Sequence, residues 1–160
     1  MLRSLQPLPQ EVARAVYSVE AARTILVPIL DLFYRERAVK LACRLGKTQN
    51  ATIVLAYILE VPRLITLDAP LPAEINEGAR KALKHERIAE WHGLRAVADI
   101  VRAREAGEGI RRAVRAYQAD LIVLGIQFSK NRVPSLFTRT ADALVRRPSR
   151  EMIIDSVLVG

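Results

Sequence analysis

Residues 120–147 read DLIVLGIQFSKNRVPSLFTRTADALVRR, an apolar run followed by a glycine, a loop and a helical pattern. The run at 120–126 predicts a buried strand, because a short continuous apolar run is typical of a strand covered on both faces. We expect Gly125 to close this strand, and Thr138 with Arg139 to open the helix that follows. This order of strand, glycine, loop and helix is typical of a phosphate-binding segment.

Strands and helices alternate along the rest of the chain. Further strands are predicted at 24–30, 51–61, 94–103 and 151–160. Amphipathic patterns between them predict helices, of which the first ends at Gly46 and the second, at 73–93, ends at Gly93. The alternation predicts an α/β fold, a five-stranded and mostly parallel sheet with helices on both faces, of the Rossmann-like kind.

In such a sheet, ligands bind beyond the carboxyl ends of the strands. The candidate positions are therefore the residues that follow each strand. They are Asp31, Glu60, Arg104 and the segment 125–140.

The chain of 160 residues predicts one domain at 23–160, preceded by an extension at 1–22 that prolines interrupt. No apolar run approaches the ~18–20 residues that span a bilayer, and the first residues lack the pattern of a signal peptide. We therefore predict no transmembrane segment and a cytoplasmic protein. The single cysteine, Cys43, excludes an internal disulfide and fits a reducing compartment.

A formal net charge of +8 favours an anionic partner, such as a nucleotide, a nucleic acid or an acidic lipid surface. Basic residues are concentrated late in the chain, where one acidic residue, Asp142, lies among them. They are Lys130, Arg132, Arg139, Arg146, Arg147 and Arg150. A solvated basic surface is the simpler interpretation of this run. Aromatic residues make up only 5% of the chain, which argues against stacking on single-stranded nucleic acid.

Three segments resemble the universal stress protein family: TILVPIL at 24–30, ADLIVLGI at 119–126 and ADALVRRPSREMIID at 141–155. The family motif G-x2-G-x9-G-[ST], placed from Gly125, fits without a gap. Its second glycine falls on Phe128, and its final pair falls on Thr138 and Arg139. The resemblance implies a fold like that of the adenine nucleotide alpha hydrolases, with the motif spacing kept and the later glycines replaced.

In relatives that bind ATP, the resemblance places the triphosphate against this loop and the last helix. The degenerate nucleotide site that it implies comprises Pro28, Ile29, Asp31, Gly125, Gln127, Thr138, Arg139 and Thr140. Phe128 puts a bulky side chain where bare backbone would approach a phosphate. ATP-binding members usually have an acidic residue directly after V-P-V, whereas here Leu30 follows VPI and Asp31 comes one position late. A shift of one residue turns a side chain to the other face.

These departures favour a regulatory or binding module of the stress protein type that has no cofactor or does not bind ATP in the usual family manner. One alternative is an ATP-binding stress protein with an altered loop, or one that holds another adenine nucleotide or a smaller anion through Arg139. Another is a basic protein that associates with nucleic acid. The segment EVPRLITLDAP at 60–70 resembles stress-protein domains attached to membrane transporters, which makes a transporter a candidate partner.

No set of residues in the sequence forms a catalytic constellation, so we do not expect an enzyme. His85 and His92 alone do not make a metal site, and no metal is expected. Trp91 is expected to pack within the domain.

The last predicted strand suggests assembly. An unprotected apolar edge strand invites pairing with another chain, and stress-protein relatives often dimerise through this strand. We therefore expect a homodimer, with burial inside the monomer as the alternative. The candidate contacts are Met152, Ile153, Ile154, Val157 and Leu158.

Overall fold

The computed structural model describes residues 21–30, 35–129, 139–140, 143–144, 146 and 150–159, and at 35, 126–129 and 156–159 it describes the backbone alone. The predicted site residues Asp31 and Thr138, and all but the end of the predicted extension, lie outside these residues.

The described chain alternates strands and helices, as predicted. The elements are β1 (Thr24–Ile29), α1 (Arg35–Gly46), β2 (Thr52–Glu60), α2 (Pro72–Trp91), β3 (Ala96–Ala103), α3 (Ala106–Tyr117), β4 (Leu121–Ser129) and β5 (Glu151–Val159). Residues 139–140, 143–144 and 146 are helical, consistent with a helix before β5.

The five strands form one sheet in the order β3-β2-β1-β4-β5, and every pairing is parallel. The fold prediction is confirmed, and the sheet is entirely rather than mostly parallel. From β1 the chain moves outward to β2 and β3, and then returns to the other side of β1 as β4. The strand order therefore reverses between β1 and β4, where sheets of this kind have a crevice at their carboxyl ends.

Two apolar layers cover the sheet, because neighbouring residues of a buried strand face opposite sides. Val27 of β1 packs in a cluster with α1 and α2, and Leu26 packs in a second cluster with α3 and Leu144. Both β1 and β2 are buried over almost their whole length, which explains their unbroken apolar sequence.

The two glycines that were expected to end α1 and α2 act differently from each other. Gly93, just after α2, has a φ of 76°, a left-handed conformation that favours glycine. Gly46 is instead the last residue of α1 and lies against the sheet. A Cβ at Gly46 would be 2.8 Å from the Cβ of Ala51, so the position requires glycine for close approach rather than for a left-handed cap.

The side chain of Trp91, at the end of α2, is 89% exposed, so the expectation that it packs within the domain is wrong. The last turn of α2 points it away from the layer that α1 and α2 bury. No helix among the described residues is both long and apolar enough to cross a membrane.

Strand β4 is longer than predicted, and Gly125 does not close it. Gly125 pairs with Asp155 of β5, and the pairing continues to Ser129 and Val159. The register of β4 with β1, Ile25 with Leu121, would place Ile29 at the level of Gly125. The residues from 126 to 129 therefore extend past the end of β1. Each of these residues pairs with a residue of β5, and this pairing outweighs the tendency of Gly125 to interrupt the strand.

Candidate functional site at the carboxyl ends of the strands

Two cavities open at the carboxyl edge of the sheet. The first has a volume of about 470 Å³ and lies at the ends of β1 and β2, beside the start of α2. Its described lining residues are Leu30, Tyr57, Ile58, Leu59, Glu60, Ala73, Glu74 and Glu77.

The first cavity has an apolar floor and an acidic rim. Leu30, the residue after β1, is only 3% exposed and contributes to the floor. Glu60, Glu74 and Glu77 supply three carboxylates. Lys81 Nζ approaches Glu77 Oε1 at 3.2 Å, so one of the three is paired with a cation. The remaining negative charge opposes the binding of an anion such as a triphosphate.

The second cavity, about 160 Å³ in volume, lies where β2 and β3 end and α3 begins. Its described lining residues are Glu60, Arg63, Arg104, Glu105, Ala106, Gly107, Arg139, Thr140 and Ala143. The helical residues 139–140 and 143 pack closely on α3 here. A Cβ at Gly107 would be 3.2 Å from the Cβ of Ala143, so a glycine lets the two segments approach.

An acidic side chain already occupies the start of α3. Glu60 Oε1 accepts a hydrogen bond from the backbone N–H of Ala106 at 2.8 Å. The first N–H groups of a helix have no partner within the helix, and they carry a partial positive charge. The N-cap residue Glu105 makes no capping bond with its own side chain. Glu60 therefore caps α3 from the neighbouring strand β2.

Two arginines of the second cavity have structural contacts. Arg104 Nη1 donates to the carbonyl oxygens of Val61, Pro62 and Ile65, at 3.2, 2.5 and 2.9 Å. Arg63 Nη2 donates to Glu105 Oε1 at 3.2 Å. Arg104 thus braces the loop between β2 and α2.

Arg139 differs from these two arginines. It is exposed and has no ion pair among the described residues. Its neighbour Thr140 is only 3% exposed.

The predicted site residues separate into two groups. Arg139 and Thr140 come together with Glu60 and Arg104, as expected for residues that follow strands. Pro28 and Ile29 are buried at the end of β1 and line neither of the two cavities.

Gly125 and Gln127 lie within β4 rather than in a loop, and they pair with Asp155 and Val157. The prediction of a loop that starts at Gly125 is therefore wrong. The backbone of both residues belongs to the β4–β5 ladder.

The sequence did not indicate Arg63, Glu105 or Gly107 as neighbours of this edge. Glu105 and Gly107 follow β3, so the rule that directs attention to the residues after each strand could have found them. Arg63 lies in the loop that Arg104 holds by hydrogen bonds, so its position at this edge depends on a tertiary contact.

The predicted dimer contacts lie on β5, which is an edge strand. Met152 and Ile153 are half-buried and pack against the second and the first apolar cluster, respectively. The side chain of Ile154 is 40% exposed. Val157 and Leu158 pair through their backbones with Gln127 and Phe128, and their side chains are not among the described residues.

The described residues contain no group of three or more metal-ligating side chains that could hold an ion.

The model of the universal stress protein family matches residues 21–154. The chain belongs to the universal stress protein family. Solved structures of family members have the same fold. The structure of UspA from Lactobacillus plantarum has a TM-score of 0.64 at 15% identity, and the match covers 82% of this chain and 96% of that chain.

A family protein from Burkholderia pseudomallei has a TM-score of 0.62 at 21% identity, over 82% of this chain and 94% of that one. A universal stress protein from Archaeoglobus fulgidus in complex with dAMP has a TM-score of 0.59 at 16% identity, over 82% and 95%. At these identities the likeness concerns the fold. No curated protein sequence matches the chain significantly.

Proposed function

We propose that this universal stress protein is a regulatory or binding module that does not bind ATP through the glycine loop of the family, and that it carries out no catalysis. The observation that carries the proposal is the length of β4. The backbone at 125–129 pairs with β5 along its whole length. Successive N–H groups of a paired strand point in opposite directions, so this segment does not form the concave loop of converging N–H groups that holds a phosphate.

The surroundings of the crevice support the same conclusion. Leu30, buried after β1, offers no carboxylate to an adenosine. The larger cavity has the acidic rim formed by Glu60, Glu74 and Glu77. The smaller cavity, at about 160 Å³, falls below the ~300 Å³ at which pockets for drug-sized ligands begin.

The alternative is an adenine nucleotide site with altered contacts. It is supported by the dAMP complex of the Archaeoglobus fulgidus protein and by a family protein from Arabidopsis thaliana with AMP bound. In this chain Arg139 would supply the charge that the missing glycine loop does not.

Titration calorimetry with ATP separates the two. We expect no binding tighter than about 1 mM, because the phosphates gain no glycine loop and the larger of the two cavities has an acidic rim. A micromolar Kd for the unmodified chain, or ATP released from it on denaturation and identified by mass spectrometry, would refute the proposal.

The double substitution Phe128→Gly with Arg139→Ser tests the role of the loop. It should gain affinity for ATP if side-chain bulk is the obstacle. Ile126→Gly is the matched control, because it introduces the same glycine cost of ~0.5–1 kcal/mol into β4 without restoring a motif position.

We also propose that the chain forms a two-fold dimer through β5. Ile154, half exposed on this edge strand, would lie near its symmetry mate in such a pairing. Ile154→Lys should shift the mass measured by light scattering toward the monomer, because like charges would meet across the axis. Leu83→Lys, at a residue 48% exposed on α2, is the control and should leave the mass unchanged. A membrane transporter as partner stays a prediction.

A further inference from the structure

The solvent side of α2 combines basic residues with two large apolar residues. Six exposed residues recur at a spacing that, with 3.6 residues per turn, places them on one side of the helix. We call them the α2 stripe: Asn76, Arg80, Leu83, Lys84, Arg87 and Trp91. At 1.5 Å per helical residue, the stripe is about 22 Å long.

The acidic residues of α2 lie outside the stripe. The helix has as many glutamates as basic residues, but none of the glutamates belongs to the stripe. Glu77, beside it, is half-buried and pairs with Arg80 and, at 3.2 Å, with Lys81. Lys84 and Arg87 form no ion pair among the described residues. The stripe therefore presents two unpaired cations to solvent and a third that is paired at its side.

The neighbouring helix α1 does not supply the missing negative charge. Its one acidic residue, Glu36, pairs with Lys40 at 2.9 Å. The pKa of Glu36 is lowered mainly by Lys40 and less by Lys84, so Lys84 interacts with this carboxylate at longer range without pairing with it. Arg44, in the last turn of α1, is exposed and has no ion pair among the described residues. The outer side of this helical layer therefore keeps a positive excess.

Two large apolar side chains lie among these cations. Trp91 is 89% exposed and Leu83 is 48% exposed. A single exposed apolar residue is common on a protein surface, but here two share one basic stripe. Leu83 also borders a mostly apolar cleft of about 310 Å³ between α2 and β3, which widens the apolar area beside the stripe. The cleft is lined by Ala79, Ala82, Leu83, Ala98, Asp99 and Ile100.

This combination of side chains selects among the possible partners. The phosphates of duplex DNA would engage the cations and leave Trp91 and Leu83 in water. A second copy of the chain, docked through the same stripe across a two-fold axis, would bring like charges together. Tryptophan is enriched at the level of lipid headgroups, and basic residues are attracted to anionic headgroups. An anionic lipid surface is therefore the partner that uses both kinds of residue.

The cations of the stripe also suit a diffuse layer of negative charge. No hydrogen bond or ion pair among the described residues holds Lys84 or Arg87 in one geometry. Long basic side chains of this kind keep their charged ends at lipid headgroups while their apolar stems lie along the surface. A defined set of carboxylates on a protein partner would instead be matched by cations fixed in position.

We propose that the α2 stripe binds the surface of an anionic lipid bilayer, peripherally and reversibly. Its two apolar side chains enter the headgroup layer, and its basic side chains face the lipid phosphates. This goes beyond the proposed function and does not depend on it, since no residue of the stripe lines either cavity at the carboxyl edge of the sheet. Each lysine or arginine near such a surface strengthens binding about fivefold.

Sedimentation of the full chain with lipid vesicles tests the proposal. Vesicles of phosphatidylcholine with about 30% phosphatidylserine should bind the chain at about 50 mM salt, and vesicles of phosphatidylcholine alone should not. Raising the salt to about 0.5 M should release most of the protein, because salt screens the attraction. Arg87→Ala should weaken binding about fivefold, and Trp91→Ala about tenfold. Equal binding to both kinds of vesicle, or to neither, would overturn the proposal.

Fluorescence reports on the stripe directly, because Trp91 is the only tryptophan of the chain. When anionic vesicles are added, its emission should shift to shorter wavelengths as the indole leaves water. Phospholipids with brominated acyl chains should quench it. Emission that stays unchanged while the chain sediments with the vesicles would overturn the proposal, since another surface would then be the one in contact.

Two variants serve as matched controls. Arg115→Ala matches Arg87→Ala, because Arg115 is an exposed arginine on α3, in the opposite helical layer. Leu64→Ala matches Trp91→Ala, because Leu64 is 98% exposed but lies in the loop before α2, at the other end of that helix. Both controls should bind as the unmodified chain does. An equal loss in the Arg115 and Arg87 variants would show that net charge alone decides binding, and would overturn the assignment to the stripe.

Further probes separate a lipid surface from other anionic partners. A DNA duplex or a single-stranded RNA that binds more tightly than the vesicles at the same salt concentration would overturn the proposal in favour of nucleic acid. Polyglutamate that binds more tightly, with the same dependence on Arg87, would overturn it in favour of an acidic protein. Weaker binding of all three probes than of the anionic vesicles is the result expected.

Discussion

Glu60 gives the sharpest test of how the carboxyl edge of the sheet is built. Its position after a strand suggests a ligand-binding role, whereas its contact is structural. Glu60 Oε1 accepts the Ala106 N–H at 2.8 Å, and the side chain of Glu105 makes no capping bond. We therefore expect Glu60→Ala to lower the free energy of unfolding through the loss of a cap that β2 supplies to α3.

The magnitude follows from two contributions. Loss of a capping acceptor costs ~1 kcal/mol, within a range of ~0.5–2. Loss of a carboxylate near a helix N-terminus costs ~0.3–1 kcal/mol. The two overlap and the carboxylate is partly solvated, so we expect a total of about 1–2 kcal/mol. For a chain of this size that corresponds to a fall in Tm of about 3–6 °C.

Urea unfolding followed by circular dichroism at pH 7 measures this free energy. Glu60→Gln keeps an acceptor oxygen and should lose about half as much as Glu60→Ala. Glu74→Ala removes an exposed carboxylate from the first turn of α2, where it makes no hydrogen bond among the described residues. If Glu60→Ala is no more destabilising than Glu74→Ala, the cap does not exist as described.

Three further outcomes are expected. Burial, together with the hydrogen bond to Asp99, raises the pKa of Tyr117 to about 12. The contribution of Tyr117 to the free energy of unfolding should therefore be complete below its ordinary pKa of about 10 and be lost as pH rises toward 12. In urea unfolding measured at pH 9–12, the Tyr117→Phe variant should not show this decrease in stability. Burial raises the pKa of Cys43 to about 11, so Ellman's reagent at pH 8 should label it only after denaturation, and rapid labelling of the native protein would contradict this. Asp99→Ala should cause self-association that rises with concentration in light scattering. The reason is that Asp99 Oδ1 accepts a hydrogen bond from the Ile100 N–H at 2.7 Å, and its loss leaves that group of the edge strand uncovered. Tyr117→Phe keeps this hydrogen bond and should not cause self-association.

Much of the fold follows from local sequence pattern. The apolar runs of β1 and β2 contain almost no polar residue, and a strand buried on both faces requires this. In α3, the spacing of Ile110, Ala113 and Val114 identifies the face that the structure buries. The resemblance at 24–30 and 119–126 then places these elements in a known order of strands.

The errors in the prediction have a common physical cause. The end of β4 depends on β5, which is distant in sequence and supplies a partner for each residue up to Ser129. The role of Gly46 depends on the approach of Ala51. Both are tertiary contacts, and a local pattern of glycines does not contain them.

The candidate site was predictable only in part for the same reason. The rule for strand ends correctly brought Glu60, Arg104 and Arg139 to one edge. The rule did not assign their roles, because a charged residue after a strand can equally well bind a ligand or make a structural contact with the backbone. The three carbonyl contacts of Arg104 decide that question for its side chain.

The two edges of the sheet differ in a way that bears on assembly. The carbonyl of Arg95, just before β3, accepts from Ile53 of β2, and the carbonyl of Ala103, the last residue of β3, accepts from Val61, just after β2. The odd-numbered residues of β3 therefore point their backbone groups toward β2, and the even-numbered residues point theirs outward.

Two of these outward groups are covered by side chains of the same chain. Asp99 accepts the Ile100 N–H, and Arg112 Nη1 donates to the carbonyl of Arg102 at 2.6 Å. Among the described residues, no side chain bonds in this way to the backbone of β5. A sheet with one covered edge and one open edge can pair with a second copy through the two open edges, related by a two-fold axis. Assembly then stops, because both outer edges of the dimer are the covered strand β3. The pairing through β5 that we propose would therefore close at the dimer, and the covering of β3 is what would keep it from growing into a continuous sheet.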